Sequence, residues 1–305
     1  MGENNKLDIT STVLEKSIDA ATGFLSKLVS PSIETAGLIL RDHFQQYRFK
    51  QQIKLLQKTK QICEANNISH KSISLKMLLP LLNDASLEED DKMLDNWAVL
   101  LSNLVDSEQN IQNHVFPYFL SQLSLTEFNY LKKNHAEVID QFKSDSQALE
   151  QATYDLEIRK PIIQKRMAEL RAEIKKLTDQ GANLPAYFSV NDQIQILNKE
   201  HTDLINKCFT LSYQKPFNYE IGEDNLQPFE IANLERLGLI QTVNYPSLEN
   251  KRLSVEEDRY EPEAGSFIDF NLNVQSDFKM YFTELGILFM NACTEKQNQY
   301  SQQDK

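Results

Sequence analysis

Residues 80–106 read PLLNDASLEEDDKMLDNWAVLLSNLVD and carry the plainest helical pattern in the chain. Pro80 is expected to end the segment before it, and Asn83 and Asp84 to make a polar break. Ser86 stands where an N-cap is needed. Glu89 lies three residues on, the spacing at which the two residues satisfy each other's backbone N–H groups. Glu88, Glu89, Asp90 and Asp91 crowd the first turn, where unpaired N–H groups favour negative charge. Apolar residues recur at Leu87, Leu94, Trp97, Ala98, Leu101, Leu104 and Val105, a helical period with one broad face to bury. Trp97 is the only tryptophan; it lies mid-face and should anchor a core.

Around this helix the chain of 305 residues is long enough for one large domain or two smaller ones. Hydrophobic residues make up 41%, enough for a core, while eight glycines and nine prolines are too few for a loop-rich all-strand fold. The net charge of -12 argues against a dedicated nucleic-acid binder. Cys63, Cys208 and Cys293 are odd in number and far apart, so they form neither a disulfide framework nor a CxxC site, and a reducing cytoplasm is the expected setting. MGENNKLDIT has no secretory pattern, and no apolar run approaches a membrane span.

Toward the N-terminus, Val13, Leu14, Ile18, Ala21, Phe24, Leu25 and Leu28 give an amphipathic helix within residues 9–29, ended by Ser30-Pro31-Ser32. From Arg41 to Lys76 eight cations face only Asp42 and Glu64. The plain account is a basic helix side that is solvated or docks on the acidic turn at 88–91. The sharper one is a contact surface for protein, phosphate or anionic lipid, formed by Arg41, Arg48, Lys54 and Lys58.

Toward the C-terminus, Ser124 or Thr126 can cap a helix running toward Ile139. Residues 140–180 are polar and helix-prone, with Pro161 leaving either two helices or one kinked helix, and the pattern suits a long hairpin arm or a partner-binding helix more than a core. Gly181 to Tyr187 is expected as a turn, with a helix from Gln193. A compact unit follows: a helix at 227–237 with Gly238 as C-cap, a strand at 239–243, a long loop at 244–266, strands at 267–272 and 279–282, and a last helix, 284–292, capped by Thr283. The expected fold is therefore mainly α: an N-terminal helix (1–29), a helical core (30–139), long helices (140–225), a winged-helix-like α+β unit (226–296) and a tail (297–305).

SLEEDDKMLDNWAVLLSNLVD resembles the signature of the abortive-infection alpha family, through Ser86, Leu87, Glu88, Glu89, Asp90, Leu94, Trp97, Leu100, Leu101 and Asn103. Leu123, Ser124 and Glu127, the NLERLGLI run from Asn233 and the TELGILFMNAC run from Thr283 are similar to later parts of the same family. Of these, Ser86, Glu89, Trp97 and Leu101 serve as its structural signature. The resemblance implies a role in bacterial phage defence by abortive infection and carries no catalytic residue set.

No catalytic, metal or cofactor site is expected. Glu88, Asp91 and Asp95 lie along one helix face, a feasible carboxylate row for a divalent cation, but helix N-termini collect acids anyway. The leading expectation is a non-enzymatic defence protein acting through a protein partner or a second copy of itself. The alternatives are a winged-helix regulator on nucleic acid, disfavoured by Glu230 and Glu235 beside Gln227, Asn233 and Arg236, and an effector seated on an anionic membrane surface through residues 9–40.

Overall fold

The structure is a computed structural model and describes residues 12–28, 46–109, 111, 113–179, 184–222, 226–248 and 274–295. Over these residues the chain is mainly helical with one small sheet, as expected. It divides into two compact units, Met1–Asn134 with Ile221–Lys305, and His135–Glu220.

The first unit opens with α1 (Thr12–Leu28), α2 (Gln46–Ala65), α3 (Leu75–Ala85), α4 (Asp91–Val105) and α5 (Phe116–Ser121). α1 packs on α2, α2 on α4, and α3 on α5. Trp97 is 1% exposed, which bears out its place as a core anchor. The buried surface of α4 is wider than one face: every residue from Asn96 to Val105 is buried. A helix apolar nearly all round belongs at the centre of a core. Among its buried polar groups, Ser102 Oγ donates to the Val99 carbonyl at 2.7 Å, while the Trp97 indole N–H has no hydrogen-bond partner among the described residues.

Two local expectations are corrected. Pro80 does not end a segment; it sits inside α3 on an exposed position, where a missing N–H leaves a carbonyl that water can reach. Nor does Ser86 cap α4. It ends α3, its hydroxyl donating to the Asn83 carbonyl, and the N-cap is Asp90, whose carboxylate accepts from the N–H groups of Lys92 and Met93 at 2.7 and 3.1 Å. An ionised acceptor binds these N–H groups more strongly than a hydroxyl. Starting the helix later leaves Leu87 52% exposed and outside the core face. Glu89 is exposed, its N–H given to the Glu88 carboxylate at 3.1 Å.

α6 (Leu125–Asp179) begins on a capping box: Ser124 N donates to Glu127 at 2.7 Å, and Glu127 N to the Ser124 hydroxyl at 3.2 Å. It runs past Ile139 and through the exposed Pro161 as one helix of 55 residues, about 80 Å at the usual rise. Its part beyond Asn134 and α7 (Leu184–Ser212) make the second unit, the hairpin arm expected from composition. Leu170 of α6 packs with Val190 and Ile194 of α7, flanked by Met167, Ile174, Leu177 and Leu197. Arg159 pairs with Glu200 across the seam at 3.1 Å. Tyr219 donates to Asp145 at 2.7 Å, and its burial followed by this hydrogen bond holds the phenol well above its ordinary value.

The chain returns to the first unit through β1 (Glu220–Ile221), α8 (Pro228–Arg236), β2 (Ile240–Leu248), β3 (Val274–Phe282) and α9 (Glu284–Ala292), with strand order β1-β3-β2. β2 and β3 are antiparallel, Ile240 opposite Phe282 and Leu248 opposite Val274. Both run longer than expected: β2 continues into the stretch read as loop from 244, and β3 begins before 279. The strand expected at 267–272 lies outside the described residues.

The two glycine motifs lock together. Gly238 turns the chain at φ +68°, and the Leu239 carbonyl accepts from Thr283 N at 3.0 Å. Thr283 caps α9, accepting from Gly286 N at 2.9 Å, while its hydroxyl also donates to the Gly238 carbonyl. Gly286 lies so close that a Cβ there would stand 2.0 Å from the Leu239 oxygen. Phe289 of α9 then meets Phe116 and Phe119 of α5, each ring 5.7 Å away and edge-on.

Candidate functional site

The basic side of α2 is the first surface the sequence singles out. Arg41 lies outside the described residues, and Arg48 is half-buried. Lys54 and Lys58, one turn apart, form ion pairs with Asp91 and Asp95, also one turn apart on α4. The common offset means that α2 and α4 run in the same direction. The Lys54 hydrogen bond and charge hold the Asp91 carboxyl below the usual carboxylate range. Half of the named cations, and two of the three carboxylates in the Glu88, Asp91, Asp95 row, are thus partnered inside the chain. Glu88 accepts from Glu89 N and Asp90 N at 3.1 Å each.

The signature residues have structural work. Asn103 is 1% exposed; its amide donates to the carbonyls of Ala292 and Thr294 at 2.9 Å each and accepts from Gln109 at 3.0 Å. It thereby closes the C-terminal end of α9 from 189 positions away. Glu127 links its cap to α8, accepting from Asn233 at 2.7 Å. Leu101 is fully buried.

On α8, Asn233 is committed to Glu127 and to the Gln122 carbonyl at 3.1 Å, while Arg236 donates to Asn233 at 2.8 Å. These were the side chains a base-reading helix would have presented. The loop cations Lys251, Arg252 and Arg259 lie outside the described residues.

Among the described residues no group of three or more His, Cys, Asp or Glu is placed to hold a metal ion. Cys63 and Cys293 are buried; burial pushes the Cys63 thiol up to about 12, with Asp106 adding to the effect, and raises Cys293 as well. Both are poor nucleophiles. A cleft of about 490 Å³ lies between residues 71–77 and 107–111, where the Lys71 ammonium donates to the Gln109 carbonyl. No described helix is long and apolar enough to cross a membrane.

What sequence reading missed is on the arm. Leu184, Phe188, Ile205, Phe209 and Tyr213 are all exposed, and the Phe209 and Tyr213 rings meet at 4.6 Å between centroids, tilted by 52°. Between the two apolar ends the same side carries Asn191, Gln195, Asn198 and Thr202. The spacing alternates between four and three from 184 to 209, the period of a seam between packed helices. Asp192, Lys199, Glu200, Asp203 and Lys207 fall on other sides of α7, so this strip has no charge along its length. α6 carries a second exposed stripe, Tyr154, Ile158 and Ile162. The missed signal was the heptad spacing of uncharged residues, diluted in the middle by polar amides.

No curated protein and no solved structure matches the chain. The family model described as abortive infection alpha matches residues 45–293, from α2 through the end of α9, and the chain belongs to that family.

Proposed function

We propose that the protein takes part in abortive-infection defence without catalysing a reaction, by binding a helix of another protein along the uncharged strip of α7. One observation carries this reading: four exposed apolar side chains at the two ends of α7, with Tyr213 just past its last residue, lie on a charge-free strip with seam spacing. Burying such side chains against a partner helix is favourable, by roughly 25 cal/mol per Å² of apolar surface. The polar amides in the middle would fix register, as buried polar positions do in paired helices. Two facts weigh against a nucleic-acid reading, the acidic total charge and the internal commitment of Asn233 and Arg236. The basic side of α2 remains a candidate accessory contact through Arg41 and Arg48; Lys54 and Lys58 would have to leave their carboxylates to join it.

Phage plating on cells expressing the chain tests the proposal. Replacing Phe188, Phe209 and Tyr213 together by Ser is expected to abolish protection at unchanged expression and helical content. Those three side chains lie on the exposed side of the arm, so the fold should survive. Full protection from the triple variant would refute the role of the strip.

A further inference from the structure

The second stripe on the arm has its own logic. Tyr154, Ile158 and Ile162 are spaced four apart on α6, are 60%, 46% and 63% exposed, and face away from the seam with α7 that Leu170 enters. The charge on α6 reverses sign at the middle of that stripe. From His135 to Glu157 there are six acids and one lysine; from Ile158 to Asp179 there are seven Lys and Arg and three acids. An apolar patch centred on a charge reversal is self-complementary under a two-fold axis, because each half of the helix attracts the opposite half of an identical one.

We infer that a second copy of the chain packs antiparallel on this face of α6, with Ile158 at the two-fold axis. Opposite each residue stands the one equally far beyond Ile158. Tyr154 then meets the partner's Ile162, and Ile158 meets the partner's Ile158. Eighteen residues out, Asp140, on the same line of the helix as Ile158, faces the partner's Lys176. All of these positions are exposed and lie within a quarter turn of Ile158 at the helical period. Parallel pairing would instead set Asp140 against Asp140 and Lys176 against Lys176, so the charges select the antiparallel arrangement. The contact from 140 to 176 is about 55 Å long and narrow, which fits a reversible, concentration-dependent dimer. It extends the reading of the arm as a recognition element but uses a different helix. It is measured on the purified chain alone, so either idea can fail without the other.

Sedimentation equilibrium of the full chain over a wide range of loading concentration provides the test. The wild type is expected to form dimers that dissociate on dilution and weaken in high salt. Asp140→Lys alone and Lys176→Asp alone should each weaken association by about tenfold or more, since each sets like charges face to face twice. Combining the two changes in one chain should restore it, and so should mixing the two single variants. Circular dichroism of the restored double variant also controls for folding. A monomeric wild type at all concentrations would overturn the inference, as would single variants that associate like the wild type or a double variant that stays as weak as the singles.

Discussion

Gly286 is required by geometry alone: the helix it belongs to touches backbone, and no side chain fits between. Gly286→Ala would force its methyl against the Leu239 carbonyl, 2.0 Å away, so the backbone must shift. Urea unfolding should show a loss of about 1–3 kcal/mol or more. The same change at Gly23 in α1, where a Cβ meets nothing within 4 Å, should stabilise by about 0.5–1 kcal/mol. Equal effects at the two sites would contradict the lock between the glycine motifs. Single residues were legible in the sequence where the cause is local. Trp97 falls on a helical period, Thr283 precedes its helix by one residue, and Gly238 follows its helix at the C-cap spacing. Asp90 was misread because Ser86 and Asp90 both offer acceptors before the same helix, and the pattern does not rank them. Asn103 could not be read at all: its partners are 189 and 191 positions away.

At the scale of elements, α2 and α4 are joined by the ladder of Lys54 to Asp91 and Lys58 to Asp95. Because Lys54 lowers the Asp91 carboxyl below its unfolded value of 3.8, the pair stabilises the fold fully above that pH. The contribution disappears as the pH falls through the lower folded value. Melting temperatures of the wild type and Lys54→Met should therefore differ at neutral pH and converge in acid. A difference that persists below the folded value would mean that packing of the lysine stem, not charge, is responsible. Most helices were legible from their period, while helix ends were legible only where one cap residue stands alone, as at Gly238 and Thr283. Proline marks a break only when its freed carbonyl is deprived of water. Pro80 and Pro161 are both exposed, and both helices run through them. The α7 strip escaped notice because its middle is amide and hydroxyl, which a search for apolar period passes over.

For the whole molecule, the division into a unit holding both ends of the matched region and a helical arm separates the buried signature residues from the exposed apolar strips. The buried signature on α4, the cap at Ser124 and the glycine lock all belong to that unit, and changes there should act through folding. The exposed apolar strips belong to the arm, where changes should spare stability and alter association. The mainly helical class was legible from composition and period, since these are sums over many residues. The exposed apolar strips of the arm were not, because exposure is a property of the assembled fold.

The most direct test places a photo-reactive side chain at position 209, on the strip, and in a parallel experiment at position 199, on the charged side of the same helix, in cells challenged with phage. Binding along the strip predicts a discrete cross-linked species with another protein from position 209 and none from 199, lost when Phe188 and Tyr213 are changed to Ser. Equal labelling from both positions, or none from 209 in cells that remain protected, would contradict it.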